Sequence, residues 1–272
     1  MPAAGAGGLP FLAYAIGHCG LGTWQLLRHA RLRECRTAGS FMRLSNVFFS
    51  IFLVCNNVQL FAGSLGTPGR ASENLLRIES VVHEVLLPLY ILSGTEVLVR
   101  ALATPGGRNS KLGPARGYTA RRWRLAGGFV FLAAVAVGAH ALSTGTLSGL
   151  TIETDGLGVK SWTTPNQGPP IGVVIIALYL IAVGAIVWNA TGYCVLFGLQ
   201  LLDLVGQGGA SAAKSAGFVS VISNLFEVVF NASMCLAEAH FFGQADGAAA
   251  RDGDAAEGAE TEGVTLSAGN PV

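Results

Sequence analysis

The chain has 272 residues, of which 51% are hydrophobic and 12% charged; 17 Lys and Arg stand against 16 Asp and Glu, and the mean hydropathy is +0.52. A soluble domain carries about 25% charged residues, so no large soluble domain is present, and a net charge of +1 offers no basic surface for nucleic acid. What remains is an all-α fold, a polytopic membrane helix bundle whose partner is the lipid bilayer.

A membrane span needs about 20 mostly apolar residues. Six are predicted, at 9–28, 45–64, 79–102, 125–146, 171–202 and 215–242, and seven if the long fifth run breaks near Asn189 and Gly192. They make a transmembrane domain over residues 1–242. Residues 243–272 are Ala/Gly-rich and acidic (Asp246, Asp252, Asp254, Glu257, Glu260, Glu262). Such a segment cannot bury a core and is predicted to be a disordered tail.

The first 27 residues contain no Lys or Arg, and the basic cluster follows the apolar run. That order is the reverse of a secretory signal, so the run reads as a retained helix. Tyr14, His18, Gly22, Gln25 and His29 share one of its faces, with His18 near mid-span. In the second span Asn46, Ser50, Asn57 and Ser64 line up, with Asn56 and Gln59 displaced from them.

The third span, ESVVHEVLLPLYILSGTEVLVR, puts Glu79 and His83 at i, i+4 spacing, where they are predicted to pair, and Glu96 likewise with Arg100. Pro88 removes a backbone donor and is predicted to kink the helix. The fourth span is apolar apart from His140. Between the fourth and fifth spans, TIETDGLGVKSW reads as a short hairpin covering the helix ends. The fifth carries Asn189, Tyr193, Gln200 and Asp203 along one side.

The sixth span holds the strongest signal. At about 100° per residue, Ser220, Asn224, Glu227, Asn231 and Glu238 fall in a strip about 60° wide. A carboxylate inside a membrane helix costs about 3 kcal/mol on insertion scales and faces a protein interior or a wet cavity. Two glycosylation patterns, Asn189-Ala-Thr191 and Asn231-Ala-Ser233, lie within spans and out of enzyme reach.

Basic residues set the orientation. Arg28, Arg31, Arg33, Arg36 and Arg43 occupy the first connection, and Arg100, Arg108, Lys111, Arg116, Arg121, Arg122 and Arg124 the third. Loops 28–43 and 100–124 are therefore predicted cytoplasmic, which for six spans places both termini outside or in a lumen. Counted from the apolar runs, Glu238 then falls in the outer half and Glu227 near the middle.

These residues suggest a polar, protonatable intramembrane cavity lined by His83, Glu84, Asn57, His140, Glu227, Asn231, Glu238 and His18. It fits a small transporter, channel or sensor of an ion or small molecule. Two alternatives stand beside it. One is a haem-binding electron carrier using His83 and His140, or a metal site built on the same two histidines and a Glu. The other is a non-catalytic scaffold. No dense ligand or catalytic motif is present, so no cofactor and no enzymatic activity are expected, and the sequence gives no oligomeric state. Lys214 is too close to a helix end for a retinal Schiff base, and no nucleotide-binding fingerprint occurs. A count of six spans also sets aside seven-span receptors. The five cysteines show no metal or redox spacing and read as small buried hydrophobes.

Overall fold

The computed structural model describes residues 6–31, 38–103, 118–144, 149–163, 171–212 and 221–243. The acidic tail, Ser220 and much of the basic connections lie outside these residues. A single 3₁₀ turn, Ala6–Gly8, leads into α1 (Leu9–Arg31), α2 (Ala38–Leu65), α3 (Arg70–Ala103) and α4 (Tyr118–Ser143). A hairpin of β1 (Thr151–Thr154) and β2 (Lys160–Thr163) follows, then α5 (Ile171–Thr191), α6 (Val195–Ala212) and α7 (Val221–Gly243). Within α2, α3, α4, α5 and α7 the chain is long and apolar enough to cross a membrane; α6 has a shorter apolar part, Val195–Gly209. Large apolar side chains such as Ile16, Leu125, Phe129, Leu132, Ile171 and Val205 cover the outside of the bundle. That surface is what a lipid surround requires.

The long apolar run 171–202, expected as one span, is two antiparallel helices. Thr191 ends α5 and Val195 begins α6, and Gly192 between them adopts φ +81°, which an L side chain resists. Trp188 stacks on Phe197 across the turn at 5.4 Å. Gly184 faces the backbone of Leu196 and Phe197, where a Cβ would collide, so the two helices touch main chain to main chain. The break falls near Asn189 and Gly192, where the seven-span alternative places it.

The reversal changes the direction of everything after it. Tyr193 just before α6, then Gln200 and Gln207 of α6, meet His240, Ser233 and Ser223 of α7 in that order, so these two helices are antiparallel. His18, Gln25 and Arg28 of α1 meet Asn231, Cys235 and Glu238 of α7, so α1 and α7 run parallel. The start of α1 and the end of α7 therefore lie at opposite ends of the bundle, not at the same end as six spans implied. Seven helices stand among the described residues, five of them long and apolar enough to cross a membrane.

Pro88 acts as expected but through a specific device. Its missing N–H follows a π-helical turn, Val82–Leu86, closed by Leu87 N donating to Val82 O at 2.8 Å. Gly138 of α4 sits directly on the Glu84 carbonyl within this turn, and a Cβ there would collide with the backbone. Gly127, two to three turns away on α4, approaches the Thr95 side chain in the same manner. Small residues on one face of α4 thus set its contact with α3, while the opposite face is apolar and outward.

The hairpin forms as predicted, with Ile152 opposite Trp162. Asp155 Oδ1 accepts from the Leu157 and Val159 N–H groups, and Gly158 at φ +79° completes the turn. Val159 is buried with Phe11 and Leu60, and Trp162 Nε1 donates to Gly69 O at 3.3 Å. The hairpin therefore packs over one end of α1, α2 and α3. Of the described cysteines only Cys235 is buried; Cys19, Cys55 and Cys194 are on the outside, a correction to their reading as core residues that costs nothing where the surround is apolar.

Candidate functional site

The polar strip of α7 runs through the bundle and has three levels. At the first, Glu238 is fully buried and accepts from two arginines. Arg43 Nη1 lies 2.8 Å from its Oε1, and Arg28 Nε lies 3.1 Å from its Oε2. Arg43 is itself completely buried. Arg28 also stands over the Trp24 ring at 5.6 Å, and Gly243 abuts its guanidinium. Glu238 is thus at the Arg28 end of the bundle, not in the opposite half, because the reversal at Gly192 inverts α7. Its role changes as well: two cations compensate the carboxylate.

One to two turns along, Asn231 is the centre of the second level. Its Nδ2 donates to Ser50 Oγ at 2.9 Å and lies 3.3 Å from His18 Nδ1, while its Oδ1 accepts from Tyr90 OH at 3.5 Å. Tyr90 is held by stacking on Phe49 at 4.6 Å and edge-on by Phe230 at 5.0 Å. Gln25 Nε2 reaches the Cys235 carbonyl at 3.2 Å, and Gln200 of α6 donates to Ser233. His18 Nε2 is buried without a partner among the described residues. Four helices, α1, α2, α3 and α7, meet at this one amide.

The third level is acidic. Glu227 Oε2 is buried with no hydrogen-bond partner among the described residues. The charges it feels are those of Glu79 on α3 and Asp203 on α6. Asn56 Nδ2 donates to Glu79 Oε1 at 3.2 Å. Asp203 is 5% exposed, bonds Gln207, and leaves Oδ1 unpartnered. Gln207 in turn accepts from Ser223 Oγ at 2.7 Å. A cavity of about 10 Å³, room for a single water, lies beside Asn56 and Glu79. Among the described residues, no three His, Cys, Asp or Glu side chains are arranged to hold a metal ion.

Of the eight residues expected to line one cavity, only His18 and Asn231 touch each other among the described contacts; Glu227 and Glu238 lie on other levels of the same helix. Asn57 is buried but turns its Nδ2 back onto Leu53 O of its own helix at 2.9 Å. Glu84 is buried in the π turn, with Oε2 facing Gly172 of α5. His83 packs edge-on against Phe52 of α2, and His140 is exposed on α4. His83 and His140 therefore do not face each other, and the paired ligation that a haem or a shared metal would need is not formed by them. Depth along the helices had matched them; direction around the helices separates them.

Two expected pairs also change partner. Glu79 bonds Asn56, not His83, because the π turn beginning at Val82 departs from regular helical spacing. Glu96 takes Arg124 of α4 in a two-pronged pair at 2.6 and 2.9 Å, not Arg100, which lies over the Phe242 ring. Arg28, Arg43, Glu79 and Asp203 are the site residues that sequence reasoning left out. Asp203 and Glu79 carried a signal, since both were acids on a polar helix face; Arg43 carried none beyond its place at a helix start. Comparison with protein families, curated proteins and solved structures finds no match for this chain.

Proposed function

We propose that the chain is a multi-pass membrane protein that moves protons, or couples a small cation to them, through the acidic level at Glu227. The carrying observation is that Glu227 Oε2 is buried without a hydrogen-bond partner, with Glu79 and Asp203 as the acids that act on it electrostatically and no salt bridge to it among the described residues. Three carboxyl groups on three helices, none of them salt-bridged among the described residues, are a place to hold and pass a proton. The space of about 10 Å³ beside Glu79 and Asn56 has room for one water next to one of these acids. Asn231, His18 and Tyr90 would continue the polar path toward the Arg28–Arg43 end.

By the basic-residue rule that end faces the cytosol, so α1 starts outside and α7 ends inside. Cysteines introduced at Leu9 and at Gly243, in a background lacking the native five, should react with an impermeant reagent from opposite sides of the membrane. Labelling of both from one side would overturn the arrangement.

The functional experiment is reconstitution into proteoliposomes under an imposed pH gradient and membrane potential, read by an internal pH dye. Flux above that of empty vesicles, lost in Glu227→Gln, supports the proposal; a wild-type rate equal to empty vesicles would sink it. A second reading, a membrane scaffold, draws on the Arg28–Glu238–Arg43 cluster, which ties α1, α2 and α7 together.

A further inference from the structure

One groove on the outside of the bundle is not used by the polar strip. Phe41 of α2, Leu92, Thr95 and Glu96 of α3 and Arg124 of α4 enclose about 450 Å³, open to the side. That volume is within the range of ligand sites, about 300–1,000 Å³. Its long wall is apolar. Its polar end is the Glu96–Arg124 pair, which already neutralises itself.

Charge beyond that pair is positive. Arg121 lies one turn before Arg124 on α4, is exposed, and has no acid partner among the described residues. Arg122 beside it is exposed as well. The groove end also lies one turn from Arg100, whose guanidinium stands over Phe242, and so at the basic end of the bundle. In a bilayer that is the depth of headgroups. A second copy of the chain is a poor occupant, since it would bring its own arginines to the same depth.

We infer that this groove binds a glycerophospholipid with an anionic headgroup. One acyl chain lies along Phe41 and Leu92, and the headgroup phosphate sits against Arg121. Glu96 keeps Arg124 turned to α3, so that Arg121 supplies the charge that discriminates anionic from zwitterionic lipid. An arginine near the membrane surface is worth about fivefold in this choice.

The test is native mass spectrometry of the full chain released from nanodiscs of equimolar phosphatidylglycerol and phosphatidylcholine with identical acyl chains. Wild type should retain phosphatidylglycerol about fivefold over phosphatidylcholine. Arg121→Gln, at an exposed position, should bring the ratio close to one while lipid is still bound. Leu92→Trp, which fills the groove from its lipid side, should lower retention of both lipids. Equal retention by wild type overturns the proposal, as does a preference surviving in Arg121→Gln or undiminished retention in Leu92→Trp. A dimer that Leu92→Trp abolishes would assign the groove to a second copy and overturn it as well.

Discussion

Glu227 and Glu238 are the same residue type on the same face of one helix, about three turns apart, yet their surroundings are opposite. Glu238 is clamped by Arg28 and Arg43, so its carboxylate is met by two cations. Glu227 has an unpartnered oxygen and two further acids for neighbours. A shared helical face does not confer a shared role. A carboxylate that several helices have arranged arginines to meet holds the bundle together; one that they leave without a cation is available for chemistry.

The contrast can be broken most forcefully at the clamp. Arg43→Leu strands the Glu238 charge in the interior and should cost about 3–5 kcal/mol, read as a fall in the unfolding midpoint of the detergent-solubilised protein. A loss below about 1 kcal/mol would mean that Arg28 alone compensates the carboxylate. A middle-sized effect is expected where α4 touches the π turn. Gly138→Val drives a side chain into the Glu84 backbone and should cost about 1–3 kcal/mol, measured the same way. Wild-type stability there would show that α4 moves aside freely.

Glu227→Leu sharpens the contrast from the other end. It removes a buried polar group that has no counter-charge, so stability should change by less than about 1 kcal/mol or rise, while proton flux is lost. Destabilisation like that of Arg43→Leu would place both acids in one structural class. The smallest effect is expected from Ser50→Ala, which deletes one of several bonds to Asn231 and should cost about 0.6 kcal/mol.

Periodicity alone was enough to find the polar face of α7, the buried face of α1 and the turn residues of the hairpin, because each is a local pattern. Partners across helices are set by packing, which local spacing does not contain. The separation between Arg43 and Glu238 is 195 residues, and nothing near either one names the other. The Gly192 reversal was visible only as a glycine within an apolar run, and its consequence was not local: missing it moved Glu238 to the wrong end of the bundle. His83 and His140 show the complementary failure. Helix rise gives distance along an axis, but whether two side chains face each other depends on helix rotation, which the small residues of α4 decide.

The clamp also imposes an order on biosynthesis. Arg28 and Arg43 belong to α1 and α2, and Glu238 to α7. At ribosomal rates of about 5–20 residues per second, the 195 residues from Arg43 to Glu238 take about 10–40 s to make. Throughout that interval both guanidiniums must stay at the headgroup layer, where their long side chains can reach water. The nascent α1–α2 pair therefore waits, held at the interface by its own charges, and the clamp closes only when α7 delivers the carboxylate.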